Sequence, residues 1–234
     1  GPMARTVKDA AILLGALAGV DTADTYTLAG KDKAHADYTK FLDADGLKGK
    51  RLGVEKSAME TSPFMKTLFD EAIALLKNKG ATIVEVEVYH NIKQAGKDEF
   101  TVLLYEFKDG VNAYLSNANG KMKTLADVIE FNKKNEAKAM PYFKQETLEL
   151  AQKKGGLDEK EYLEAVKNTT TITRSVIDKI LQDNKLDAII APTNGFACCI
   201  DLVNGDYDNG YSFSGPAAMA GYPHITVPMG YFDE

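Results

Sequence analysis

Apolar residues recur along this chain first at helical spacing and then at strand spacing. Ala10, Ala11, Ile12, Leu13, Leu14 and Leu17 follow a T-x-x-D cap at Thr6 and Asp9, which predicts a helix over residues 7–18 stopped at Gly19. Residues 21–46 are polar, rich in Asp, Lys and Thr, and predict loop with a short helix. A β-α-β unit follows. KRLGV (residues 50–54) reads as a short buried strand. Ser62-Pro63 reads as an N-cap with proline at the first helical position. Met65, Leu68, Phe69, Ala72, Leu75 and Leu76 then form a helical stripe that Gly80 ends. In TIVEVEVY, Val84, Val86 and Val88 alternate with Glu85 and Glu87, which predicts a strand with one wet face near a sheet edge.

The middle of the chain is helical. Phe100, Leu103, Leu104, Phe107, Val111 and Leu115 predict a helix over 97–117, and Thr124 with Asp127 forms a second capping box before Leu125, Val128, Ile129 and Phe131. Pro141 interrupts, a helix over about 146–153 stops at Gly155-Gly156, and Asp158 is expected to cap a long helix reaching about residue 182. LDAIIAP (186–192) is a continuous apolar run, expected as a strand buried on both faces. A Gly/Asn/Asp-rich loop runs to Gly215, a small-residue helix follows, and alternating Ile225 and Val227 predict a last strand. The expected class is α/β, a mixed β-sheet flanked by helices, in one domain over 1–234. Both ends are expected to be cuts, because apolar residues at each would need further chain to cover them.

Composition narrows the function. A net charge of −6 lacks the basic footprint of a nucleic-acid or membrane-surface binder. No apolar run approaches a membrane span, and the first residues show no secretory core. His35, His90 and His224 are scattered and no Walker A or G-x-G-x-x-G motif is present, so neither a metal nor another cofactor is expected. Cys198 and Cys199 are adjacent and read as small packing residues. Residues 206–210 (DYDNG) lack the later glutamate of a calcium loop and read as a turn. Asn168-Thr169-Thr170 is a formal glycosylation sequon inside a predicted helix, and is read as helix. The loop from Thr193 to Gly215 leaves a strand end, where open α/β sheets bind ligands, and its glycines let backbone approach one closely.

Several segments together resemble one family. GPMARTVKDAAILLGALAG resembles the stretch that follows the catalytic motif of amidase signature enzymes. LLYEFKDGVNAYL, TLADVIEFN, PYFKQE, GGLDEKEYL, LDAIIAPTNG, DLVNGD and SGPAAMAGYPHITVPMGY are similar, in the same order, to its peptide-amidase branch. The resemblance implies part of an α/β/α sandwich, with Gly1-Pro2 native. The implied chemistry is carboxamide hydrolysis by a serine, a second serine on a cis peptide, and a lysine. A hydroxyl attacks once a base takes its proton, and a desolvated lysine is such a base. Those residues lie upstream of the GPMART segment in the family, so no catalytic residue is expected here. Ser57, Ser62, Ser175, Ser212 and Ser214 sit in no nucleophile motif.

The resemblance places Asn194, Gly195, Phe196, Asp201, Ser214 and Tyr222 on the wall of the substrate cleft. The branch reads N-G-P-A-W where this chain has Asn194-Gly195-Phe196-Ala197-Cys198, so its substrate preference is not carried over. The implied partners are a small amide or peptide-amide substrate and the missing N-terminal half of the fold, with self-association in its absence and no nucleic acid or membrane. A non-catalytic amidase-like binding module is the alternative. A two-lobed small-molecule receptor lacks its second lobe in this sequence.

Overall fold

The computed structural model describes residues 1–60, 62–93, 95–206 and 211–231. Its sheet is built by the β-α-β unit. Strand β1 (Arg51–Glu55) leads through helix α2 (Pro63–Asn78) to β2 (Thr82–Val86), and the two strands pair in parallel with Arg51 opposite Thr82. Ser62 caps α2 as its sequence predicts, its hydroxyl accepting from the Met65 amide. Strand β3 (Ala188–Ile190) joins the other side of β1, again in parallel, giving the order β2-β1-β3. Asp187 fixes that register. Its carboxylate accepts from the Arg51 amide at 2.8 Å and from Lys50 Nζ at 2.9 Å.

Alternation along β1 splits the core in two. Val54 faces α2 and packs with Ala58 and Phe69. On the other face Val86, Val88 and Ile92 pack against Ile177, Met219 and Ala220. Gly53 lies on that second face because a Cβ there would meet Leu186 Cδ1 at 2.6 Å. The result is helix, sheet, helix, the expected α/β layering. Both ladders are parallel, and the antiparallel pairing among the described residues is the isolated bridge between Asn194 and Ser212.

Beside the sandwich stands a helical module of α3 (Ala95–Asn117), α4 (Leu125–Lys134), the short α5 (Glu136–Ala139) and α6 (Glu146–Gln152). Leu104, Leu125, Ile129 and Ala151 form its core. The Thr124–Asp127 capping box is complete in both directions. Helices α7 (Lys160–Val166) and α8 (Thr173–Asn184) run as one rod through a π-helical stretch, Lys167–Ile172. The N-cap position is Glu159, one residue past the expected Asp158, and the long helix runs on to Asn184, widened by one π-helical stretch. Thr169, the middle residue of the sequon, lies in this π stretch and is buried.

Two expectations change. Strand β3 is an edge strand, partly exposed, where the apolar run predicts burial on both faces. Ile225 and Val227 lie on extended chain outside any ladder and are exposed, so alternation there does not make a strand among the described residues. Backbone hydrogen bonding makes a strand, and alternation only decorates one. Helix α1 (Val7–Leu17) forms on its Thr6 cap, packs against the 3₁₀ turn Thr39–Phe41, and buries none of its residues. No described helix is long and apolar enough to cross a membrane.

Candidate functional site

In the order β2-β1-β3 the chain leaves β1 toward one side and returns with β3 on the other. The crevice at the carboxyl ends of β1 and β3 is therefore a topological switch point, where open α/β sheets hold ligands. Two segments converge there: residues 55–58 at the end of β1 and the loop over 191–214 after β3.

Glu55, the last residue of β1, is 1% exposed. Its Oε2 accepts from the Val88 amide at 2.6 Å, and its Oε1 accepts from Ser57 Oγ at 2.9 Å. One carboxylate thereby ties the ends of β1 and β2 and the following turn together. Tyr89 stands beside it, edge-on to Phe213 at 5.2 Å and to Tyr211 at 6.3 Å. Burial pushes the Tyr211 and Tyr89 hydroxyls up from their ordinary value, and the Glu55 carboxylate adds to both. Burial also raises the Glu99 carboxyl nearby. The ring cluster is the floor of the crevice. The sequence reading missed Glu55, Tyr89 and Tyr211. A glutamate directly after an apolar strand run was the available signal.

The loop is stitched to itself above that floor. The Phe213 amide donates to the Thr193 carbonyl at 3.0 Å and the Gly195 amide to the Tyr211 carbonyl at 2.8 Å, around the Asn194–Ser212 bridge. This brings Asn194 and Gly195, with Phe196 after them, next to the extended segment 211–213 that leads into Ser214. Ser214 is exposed and opens the short helix α9 (Gly215–Ala220). Asp201 lies further out. Its carboxylate accepts from the Val203 amide at 2.8 Å, the Asn204 amide at 2.9 Å and Asn204 Nδ2 at 2.9 Å. It is the anchor of its own turn. Tyr222 lies beyond α9, and its hydroxyl donates to Asp178 on α8 at 2.6 Å. That bond is the main cause raising the Tyr222 hydroxyl above its ordinary value. Arg174 Nε secures the same corner on the Ala220 carbonyl at 2.6 Å. Of the six residues, Asn194, Gly195, Phe196 and Ser214 thus share the stitched segment, Asp201 shapes a separate turn, and Tyr222 braces α9 on α8.

Other candidate chemistry stays apart. Ser57 is bound to Glu55, and Lys56 Nζ meets Glu87 at 2.8 Å. No group of three or more His, Cys, Asp or Glu side chains among the described residues is arranged to hold a metal ion. Cys198 and Cys199 are free thiols. Of residues 206–210, Tyr207 to Gly210 lie outside the described residues.

The Asp201 turn carries a pH prediction. The Asn204 amide, then its side chain and the Val203 amide, hold the Asp201 carboxyl below its ordinary value of 3.8. A depressed native value stabilises the turn above the ordinary value and is lost as pH falls through the native one. Amide exchange at Val203 and Asn204 is therefore expected to stay slow at pH 4 and to accelerate only below 3.8. A midpoint at or above 3.8 would contradict the three bonds. Asp201→Ala should remove the protection at every pH.

Comparison with known proteins agrees with this architecture. The family model described as Amidase matches residues 1–234. A probable amidase of Arabidopsis thaliana is 35% identical over 99% of this chain and 42% of its own length. The crystal structure of a peptide amidase in complex with the competitive inhibitor chymostatin superposes with a TM-score of 0.91 at 37% identity, over 100% of this chain and 47% of that one. The native peptide amidase of Stenotrophomonas maltophilia does so with a TM-score of 0.87 at 37% identity, over the same shares. This chain spans less than half the length of each of these relatives. It belongs to the amidase signature family and has the fold of the matching part of a peptide amidase.

Proposed function

We propose that this chain is the cleft-wall and scaffold portion of an amide hydrolase that cleaves the C–N bond of a neutral carboxamide, such as a C-terminal peptide amide. The observation that carries the reading is the likeness, along the whole of this chain, to 47% of peptide amidase chains, which leaves over half of their length as the place for the proton-transfer residues. In this reading a hydroxyl nucleophile, its relay serine and a neutral lysine come from that companion polypeptide. This chain contributes Asn194, Gly195, Phe196 and Ser214 directly, with Asp201 and Tyr222 holding their loops. The ring floor of Tyr89, Tyr211 and Phe213 excludes water beside the reacting amide, which strengthens every electrostatic contact there. The uncovered apolar side of α1 is the surface on which the companion half packs.

Ammonia release from N-acetyl-phenylalaninamide tests this reading. The chain alone is expected to stay at the buffer background. A polypeptide that joins it to the catalytic portion of its parent should turn over, and Ser214→Trp in that polypeptide should raise KM more than it lowers kcat. Turnover by the chain alone, or none by the joined polypeptide, would reject the proposal.

A further inference from the structure

The segment that leads into Ser214 is held by its side chains as well as by its backbone. Tyr211 and Phe213 are half-buried, and Ser212 between them is exposed. The same alternation runs along the facing segment, where Thr193 and Gly195 are half-buried and Asn194 is exposed. The Gly195 and Phe213 amides close hydrogen bonds on either side of the Asn194–Ser212 bridge. Asn194 and Ser212 are therefore the non-hydrogen-bonded pair of a short antiparallel ribbon, the pairing in which side chains stand closest. We propose that Tyr211 and Phe213 are positioning residues, which anchor this ribbon across the carboxyl end of the sheet and so fix where Asn194 stands. What Asn194 is held to meet rests on the amide-hydrolase reading above.

Three observations carry the anchor. First, the two rings enter different halves of the core. Tyr211 packs against the cluster of Val54, Ala58 and Phe69, on the α2 face of the sheet. Phe213 packs against the cluster that holds Val86, Val88 and Ile92, on the opposite face. With one ring on each face, the segment straddles the strand ends and is held from both sides. Second, both rings meet one residue just past β2. Tyr89 stands edge-on to each, at 5.2 Å from Phe213 and 6.3 Å from Tyr211. Edge-to-face pairs set the orientation of a ring as well as its depth. Third, the ring of Tyr211 does the holding. Its hydroxyl oxygen is sealed from solvent and finds no hydrogen-bond partner among the described residues. A polar atom buried in that way opposes burial, so packing of the ring keeps the seat.

The backbone carries this placement to the wall. The Tyr211 carbonyl takes the Gly195 amide at 2.8 Å, and the Thr193 carbonyl takes the Phe213 amide at 3.0 Å. Asn194 lies between those two bonded neighbours and follows both rings. Residues 196–206 lie outside the ribbon, so their course can change while Asn194 keeps its place.

Amide exchange of the chain, followed residue by residue by NMR, tests the anchor. Tyr211→Ala should speed exchange at Gly195 by at least about tenfold, while the Thr82 and Asp187 amides, bonded at the other end of the sheet, keep their protection. Phe213→Ala should act on Gly195 in the same way. Tyr211→Phe should stay within about twofold of wild type, because the ring is what is used. If Tyr211→Ala also frees Thr82, Tyr211→Leu, which keeps apolar bulk without the ring, is read in its place. Unchanged exchange at Gly195 in Tyr211→Ala overturns the anchor. So does loss of protection at Thr82 in step with Gly195 in both the Ala and Leu variants, which would make Tyr211 a core residue and nothing more. In the joined polypeptide, Tyr211→Leu should raise KM for N-acetyl-phenylalaninamide more than it lowers kcat, and Tyr211→Phe should restore both. A fall in kcat at constant KM would overturn the positioning role. Because exchange is read without turnover, a joined polypeptide that hydrolyses no amide rejects the functional reading and leaves the anchor standing.

Discussion

Glu55→Ala is expected to destabilise the chain by about 3 kcal/mol, a fall in Tm of roughly 6–12 °C for a domain of this size. Alanine loses one buried methylene, worth about 0.8 kcal/mol, and the rest of the effect is polar. The Glu55 side chain accepts hydrogen bonds where no water reaches. The Val88 amide that it receives belongs to a fully buried residue, so alanine leaves that N–H without a partner. The Ser57 hydroxyl loses its acceptor at the same time. Glu55→Gln keeps one carbonyl oxygen for Val88 and turns an amide donor toward Ser57, whose hydroxyl can accept. The loss should then be nearer about 1 kcal/mol. Thermal unfolding of the three proteins at one concentration checks the order wild type, Gln, Ala. An alanine variant within about 0.5 kcal/mol of wild type would mean that Glu55 does not tie the strands. The same substitution releases Tyr89 from its neighbour. Because the chain has no tryptophan, the near-ultraviolet tyrosine signal should report a loosened ring floor before global unfolding.

This tie shows where sequence reading succeeds and where it stops. The caps at Thr6, Ser62 and Thr124 were legible, because each is completed within three residues of itself. The strand over residues 82–86 was legible as an edge, since alternating glutamates can face only water. The partner of Glu55 lies 33 residues away, so no local pattern points to it. The last expected strand failed for the same reason. Ile225 and Val227 alternate, yet a ladder requires a second strand, and pairing is not written in the run itself. The continuous run at 186–192 suggested burial on both faces, but burial depends on what lies beyond β3. Among the site residues, Asp201 was placed on a wall through resemblance. The sequence D-L-V-N also spells an aspartate that caps its own turn, which is a local signal with a mechanism.

In solution at micromolar concentration the isolated chain is expected to self-associate, and breaking its helical apolar surface should return it to monomer. Helix α1 shows why. Gly15 lets the helix sit on the 36–41 turn, where a Cβ would meet the Ala36 carbonyl oxygen at 2.5 Å. That contact spends the one narrow side of the helix. Ile12, Leu13, Leu14 and Leu17 remain exposed on the rest. Ile225 and Val227 on the extended C-terminal segment are exposed as well, and the outer edge of β3 pairs with no strand among the described residues. Each large apolar side chain withdrawn from water contributes about 1.5–3 kcal/mol when its burial is complete. An unpaired strand edge adds a template for a second chain. The net charge of −6 opposes association, so the two effects separate by solvent. Sulfate strengthens apolar burial while screening the repulsion, and should raise the sedimentation coefficient. Ile12→Glu together with Leu17→Glu should lower it toward the monomer value without altering the far-ultraviolet spectrum, since both positions are exposed and glutamate is a good helix former. A wild-type chain that sediments as a monomer at these concentrations, unmoved by sulfate, would show that this surface is satisfied within one copy. The companion half would then have to be sought on the sheet edge instead of on α1.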